Sequence, residues 1–424
     1  MKNMMGQLHK LLSNDVTWSV VSLGIMAVSG LLLVALLRWH SAETLGVFNQ
    51  VYAVFIILSQ IGVGGVQFST LKHVSHASDD LSACWEITLS ALLLVALIML
   101  PVVVALWLLA EPIGAFLNSD AVAVGIRLAT PGLLFFGLNK VLINVVNGLD
   151  KIKANSVFRA LRFILLPLVV FVFVIQDQPA DQFAFALTLT EITVFCSLLI
   201  FVFGRLLKAQ PLRNFRHWLH QHVSFGARGV LSGVLLDLNT RIDVLMLGYF
   251  TSDALVGIYS FASTLAEGFA QIPIAVRWSI DPKLGQHFAK SEPTEIEELS
   301  RVTRRQLFPW SLAAGLLGMA AFPALSWLVD GNVDTLGWQL FAIMIVAVTI
   351  SAGYRSFGGI LLQGGRPEMY TLVIVALVAG DALMNLGFIP WLGVTGAAIV
   401  TATTYLLEAL YLRLAAKRLF AIRL

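Results

Sequence analysis

The run Ala91-Leu92-Leu93-Leu94-Val95-Ala96-Leu97-Ile98-Met99-Leu100-Pro101-Val102-Val103-Val104-Ala105-Leu106-Trp107-Leu108-Leu109 decides the fold. It carries no charge, and a segment of about 20 mainly apolar residues crosses the ~30 Å hydrocarbon core of a bilayer. In that core only helices and closed barrels satisfy every backbone group, and a run this long and continuous is a helix. Working outward, the same pattern gives twelve spans: 16–37, 46–70, 84–109, 122–147, 158–176, 184–204, 224–248, 255–280, 307–329, 337–362, 369–388 and 395–413. Spans two, four, eight and ten contain Gly, Asn, Gln or single charges and are weaker as plain anchors. The whole chain is 58% hydrophobic and 12% charged, with mean hydropathy +0.83; an ordinary soluble domain is about 25% charged. The expected class is an all-α polytopic membrane protein of about twelve transmembrane helices.

Lysine and arginine fall in every second gap. With a cytoplasmic N-terminus, 21 of the 28 lie in inner segments or at the inner ends of spans, Arg38 alone lies in an outer loop, and six lie within spans. The positive-inside rule then predicts a multi-pass protein of the cytoplasmic (inner) membrane with both termini cytoplasmic. The net charge of +3 reports topology and not nucleic-acid binding. Residues 1–15 precede a long apolar span without a clear small-residue cleavage site, which predicts an uncleaved first span. Cys84 and Cys196 are too few for a disulfide framework or a metal cluster. There is no G-x-x-x-x-G-K-[ST] loop, and Gly364-Gly365-Arg366-Pro367 reads as a turn. Outer loops of about a dozen residues or fewer leave little room for a glycosyltransferase or polysaccharide polymerase site. The expectation is a transporter and not an enzyme, with no cofactor or metal. Its driving force would come from an ion gradient, from product removal or from partner proteins.

A repeat divides the chain near its middle. Leu45-Gly46-Val47-Phe48-Asn49-Gln50 opens span two, and Val256-Gly257-Ile258-Tyr259-Ser260-Phe261 opens span eight, 211 residues later. Span four runs from Lys140 to the turn at Gly148, and span ten from Arg355 to the turn at Gly364, at offsets of 215 and 216. Six spans followed by six in the same orientation are parallel repeats, which place a substrate path between two lobes. The lobes are 1–204 and 223–424, joined by 205–222. In that joint Leu212, Phe215 and Leu219 recur at helical spacing, predicting a short interfacial helix on an anionic leaflet. His217, His220 and His222 lack acidic or thiol partners nearby in sequence, so a basic connector is favoured over a metal site. Thr294-Glu295-Ile296-Glu297 has the pattern of a capping box.

Three stretches carry a family resemblance: Leu45-Gly46-Val47-Phe48-Asn49 with Gly62-Val63-Gly64; Asn239 through Phe250 with Val256-Gly257-Ile258-Tyr259; and the late turns Gly364-Gly365-Arg366-Pro367 and Gly393 through Ala398. In order and spacing they resemble the polysaccharide flippases of the multidrug/oligosaccharidyl-lipid/polysaccharide (MOP) exporter superfamily. The resemblance implies a flippase for a polyprenyl-diphosphate-linked oligosaccharide repeat unit of O-antigen, capsule or exopolysaccharide, working by alternating access. The partners would be that lipid-linked oligosaccharide and the bilayer, with a polysaccharide polymerase and chain-length machinery as further candidates and no nucleic acid. The alternatives are another cargo on the same fold, such as a cationic drug or a peptidoglycan lipid precursor, and a membrane polymerase or glycosyltransferase.

An ionisable side chain at a helix centre costs about 2.5–3.5 kcal/mol on insertion scales, so it normally faces a bundle interior or a wet cavity. The bases within spans are Arg127, Lys140, Arg228, Arg241, Arg277 and Arg355; the acids are Glu191, Asp237, Asp243, Glu267 and Asp381. Lys140 and Arg355, on repeat-related spans, are candidates to clamp a diphosphate, with snorkelling or a local carboxylate as the alternative. Arg228 and Arg277, near inner ends, either snorkel or line the cavity mouth. Asp237 and Arg241 share a helix face as an ion pair, and Asp243 braces the same span. Glu191, Glu267 and Asp381 are candidates for H⁺ or Na⁺ coupling, or partners for cavity arginines. Asn144 and Asn147, three apart, could serve sugar hydroxyls or bond between helices.

Overall fold

The computed structural model describes residues 2–424, and the side chains of all but 1–17, 19, 20, 228–233, 235–237 and 239. Helices run α1 (Lys2–His40), α2 (Ala42–Val63), α3 (Val66–His76), α4 (Leu81–Phe116), α5 (Asp120–Gly148), α6 (Ile152–Ile175), α7 (Phe185–Phe201) and α8 (Phe215–Asn239). They continue as α9 (Ile242–Phe250), α10 (Asp253–Lys290), α11 (Pro293–Asp330), α12 (Thr335–Arg355), α13 (Ile360–Gln363), α14 (Pro367–Leu392) and α15 (Val394–Phe420). No strand occurs among the described residues, as the apolar runs predict. Ten segments among them are long and apolar enough to cross a membrane. The predicted seventh span is the pair α8–α9, interrupted at Thr240-Arg241, and the eighth is α10, which carries Glu267, Arg277, Asp281 and Lys283 along its length.

Two compact units form. One comprises residues 1–40 and 47–241, the other 41–46 and 242–424. The first therefore reaches Arg241, whereas the sequence repeat puts the joint at 205–222. In place of a separate connector helix, residues 207–214 are non-helical and α8 then runs without a break into span seven. Buried Glu86 on α4 anchors this entry, its Oε2 accepting the Asn214 backbone N–H at 2.6 Å. The expected capping box at Thr294 is also not made. Pro293 occupies the first turn of α11, so the helix begins one residue before the proposed cap; proline's fixed φ and missing N–H suit that position.

In the first unit α5 is central, packed by α4, α7 and α3, while α1 lies along α6. Pro131 interrupts the hydrogen-bond ladder of α5, and Thr188 of α7 repairs it. The Thr188 hydroxyl donates to Leu128 O at 2.6 Å and accepts from Gly132 N–H at 3.1 Å. Proline kinks in spanning helices persist where a neighbouring hydroxyl satisfies the freed groups in this way. Gly132 permits the approach, since a Cβ there would lie 2.7 Å from Thr188 Cα. This contact sets the distance of α5 from α7 and so the site described below.

In the second unit α12 packs on α10, α11 and α15, α14 on α15, and α9 on α14. The two glycines of the repeat motif meet here. A Cβ on Gly46 would collide with the Asp253 carbonyl, and one on Gly257 with the Ala42 carbonyl. Replacing Gly257 with valine is expected to destabilise the protein by about 3 kcal/mol, in the range of overpacking against rigid backbone. A melting temperature for G257V within a degree or two of the parent would disprove this tight backbone crossing.

Outside the spans, His222 is fully buried: Nε2–H donates to Ile87 O at 3.1 Å and Nδ1 accepts from the Ser69 hydroxyl at 2.9 Å. Burial, with a smaller contribution from His73, pushes its pKa down to about 4. An unfolded chain protonates this imidazole near pH 6.5 and the folded protein near 4. The stability it contributes is therefore full above 6.5, falls through that window and is gone below 4. Melting temperature should drop between pH 6.5 and 4 in the parent and less steeply in H222Q; parallel profiles would count against it.

Candidate functional site

On α5, Phe136, Asn139 and Lys140 lie at i, i+3 and i+4 and so share a face. The half-buried Lys140 ammonium donates to Gln60 Oε1 at 2.8 Å and Ser59 Oγ at 3.1 Å, both on α2. It also lies 4.8 Å from the centroid of the Phe136 ring. The same ring receives the Arg162 guanidinium at 4.4 Å. Two cations thus approach one aromatic ring within apolar helices, an arrangement that gains strength with desolvation.

Arg162 engages Glu191 of α7 through one edge of its guanidinium: Nη2 donates to Oε2 at 2.9 Å, and Nε lies 2.8 Å from Oε1. Asn139 Nδ2 donates to the same Oε2 and to the Glu191 carbonyl, each at 2.9 Å. Of the two alternatives for Glu191, the geometry matches the partner of an arginine. Asn144 directs Nδ2 to the Lys140 carbonyl at 2.8 Å, a bond within its own helix, and Asn147 is exposed.

The second unit builds its site along α15, where Thr401, Thr404, Tyr405 and Glu408 follow at helical spacing and form one polar stripe. Arg355, the last residue of α12, donates from Nε to Glu408 Oε2 at 2.6 Å and lies 4.6 Å from the Tyr405 ring centroid. Its Nη1 is a buried donor without a protein acceptor. Further along the stripe, Tyr259 hydrogen-bonds both Asp243 and, at 2.8 Å, Thr401. Asp381 on α14 accepts from Asn385 at 3.0 Å and from Thr404 at 2.9 Å. Two carboxylates, two threonines, a tyrosine and an asparagine therefore gather along α9, α10, α14 and α15.

The remaining candidates fall elsewhere. Arg277 pairs with Asp281 one turn on, at 3.2 Å. Arg127 pairs with the exposed Glu111 at 3.0 Å and lies over Trp107. Arg241 lies 5.2 Å from the Tyr52 ring centroid. Arg228 and Asp237 lie outside the described side chains, so the proposed Asp237–Arg241 pair does too. Glu267 is half-buried on α10. Arg162, Glu408 and Tyr405 escaped the sequence reading. The polar residues at 401, 404, 405 and 408 were the available signal, since four at that spacing in an apolar span mark one inward face.

Residues 11–272 match the family described as polysaccharide biosynthesis protein. The probable flippase AglR of Haloferax volcanii is 26% identical over 278 residues, covering 62% of this chain and 54% of AglR. The matched region thus spans about half the length of that curated relative. An inward-facing multidrug resistance MATE family transporter of the MOP superfamily superposes with TM-score 0.78 at 13% identity, over 95% of this chain and 98% of that one. The lipid II flippase MurJ, in an inward closed conformation, superposes with TM-score 0.71 at 13% identity, over 95% and 87%. With more than half its length matched and this fold along nearly all of it, the chain belongs to the polysaccharide biosynthesis protein family and carries the fold of MOP-superfamily transporters.

Proposed function

We propose that this protein is a flippase moving polyprenyl-diphosphate-linked oligosaccharide repeat units across the cytoplasmic membrane by alternating access, for O-antigen, capsule or exopolysaccharide synthesis. The observation that carries the reading is that each unit sets a cation among apolar helices against an aromatic ring. Lys140 is oriented by neutral oxygen acceptors, and Arg355 keeps a buried guanidinium N–H without a protein acceptor. A diphosphate needs such donors, and arginine engages phosphate oxygens through a planar fork. The family match and a relative named a probable flippase support a flippase acting in polysaccharide biosynthesis. Polymerase and chain-length proteins would act on the product. Both termini would be cytoplasmic, which reporter fusions at the two ends would check.

The test is leaflet-resolved analysis of polyprenyl-linked oligosaccharides after the protein is shut off. Completed repeat units trapped on the cytoplasmic leaflet are expected. Unchanged lipid-linked sugars in both leaflets would point to another cargo. Units that cross but stay unpolymerised would point to a polymerase.

Ion coupling is assigned to the Asp381 cluster in preference to Glu191, because Asp381 is held by neutral groups and Glu191 by an arginine. Hard oxygen donors suit a proton or Na⁺. D381N is expected to abolish the dependence of transport on the ion gradient while leaving the protein folded in the membrane. An unaltered gradient dependence would remove the assignment.

A further inference from the structure

The charged first turns of α11 end in Arg301, Arg304 and Arg305, and an almost wholly apolar run begins at Leu307. These three arginines therefore stand where the helix passes from polar surroundings into hydrocarbon, the level of lipid headgroups. At i, i+3 and i+4 they share a face, and that face borders a cleft of about 440 Å³ completed by Phe308 and, on α12, Ile350 and Tyr354. Gly353 brings the helices together here, since a Cβ would lie 2.7 Å from Arg304 Cγ. Arg304 Nη1 donates to the Tyr354 hydroxyl at 2.9 Å with the guanidinium 4.9 Å from that ring's centroid, and its Nε is buried without an acceptor. Arg301 is joined to exposed Glu298 at 2.8 Å. The bland reading, a solvated basic face, does not account for an arginine fixed over a tyrosine with a buried donor unmet.

The apolar surface next to the cleft has a direction. From Phe308 the exposed side chains continue one and two turns along α11 to Leu312 and Leu316, and from Ile350 one turn back along α12 to Val346. Both rows lead from the cleft toward the middle of the spanning segments, forming a groove that begins at cations and continues as hydrocarbon.

We propose that this cleft binds an anionic phospholipid of the bilayer, its phosphate held by Arg304 and Arg305 with Arg301 at the rim, and an acyl chain along the Phe308–Leu312 and Ile350–Val346 groove. Basic pockets between spanning helices take lipid headgroups in this way. Neither Lys140 nor Arg355 lines this cleft, which is confined to the second unit and stands whatever the transported cargo proves to be.

Native mass spectrometry of the full chain, titrated with phosphatidylglycerol and phosphatidylcholine, tests it. One phosphatidylglycerol should be retained in preference to phosphatidylcholine, and R304Q/R305Q should weaken its binding about tenfold, as loss of charge-assisted bonds to phosphate implies. R305Q alone changes an exposed side chain, keeps the Arg304–Tyr354 bond and should weaken it about threefold. K417Q/R418Q, exposed on α15, should leave binding unchanged. Equal phosphatidylglycerol binding by the parent and R305Q would overturn the proposal, as would an equal loss in K417Q/R418Q or no preference over phosphatidylcholine. Displacement by inorganic phosphate at the lipid's own concentration would make this a free-phosphate site and overturn the lipid assignment. Displacement by polyprenyl phosphate at a tenth of that concentration would transfer the site to the cargo.

Discussion

Arg162→Gln is expected to destabilise the first unit by about 3–5 kcal/mol, the cost of breaking a buried ion pair by removing one partner. The Arg162 side chain is 19% exposed and that of Glu191 4%, so little solvent reaches the bond. Without the guanidinium, Glu191 keeps the Asn139 amide as its side-chain donor within spanning helices, where a poorly compensated charge is costly. The cation over Phe136 is lost as well, and with it one of the two groups flanking the Lys140 face. Glu191→Gln should cost a similar amount through a stranded guanidinium. The double change R162L/E191L should recover most of the loss, because an apolar pair of similar bulk often replaces a buried ion pair at no net cost. Thermal unfolding of the purified protein measures all three. If each single variant melts like the parent, the pair contributes nothing and Glu191 returns as a candidate for ion coupling.

Changing both Lys140 and Arg355 to glutamine is expected to abolish transport, by at least about a hundredfold, while folded protein still reaches the membrane. A hydrogen bond to a charged group contributes about 1.5–3 kcal/mol, and two such losses over a transport cycle multiply. Folding should be affected far less than in R162Q. Lys140 hydrogen-bonds the uncharged side chains of Ser59 and Gln60. The carboxylate that Arg355 leaves behind, Glu408, is 30% exposed and can be solvated. The comparison separates the proposed cargo contacts from structural ones. R162Q should lose stability first and transport in consequence, whereas K140Q/R355Q should lose transport at near-parent melting temperature. Full transport by the double variant would end the assignment of these residues to the diphosphate.

Alternating apolar and basic segments determined the membrane class, the helical architecture and the approximate place of each span, because insertion energy sums locally along a run of about 20 residues. The motif glycines at 46 and 257 were legible too, although their facing backbones were not. Tertiary structure alone decided which charges meet one another. Arg162 meets Glu191 and Arg355 meets Glu408 across 29 and 53 residues of chain. Hydropathy scores the members of such a pair as separate local costs, whereas the energy that holds them depends on distance, shared burial and the hydrogen bonds around both. In sequence, Arg301, Arg304 and Arg305 are three among the inner-segment cations. Only the approach of α12 at Gly353 turns them into the walls of a cleft, because a site of this kind is a property of two surfaces and a sequence presents each of them alone.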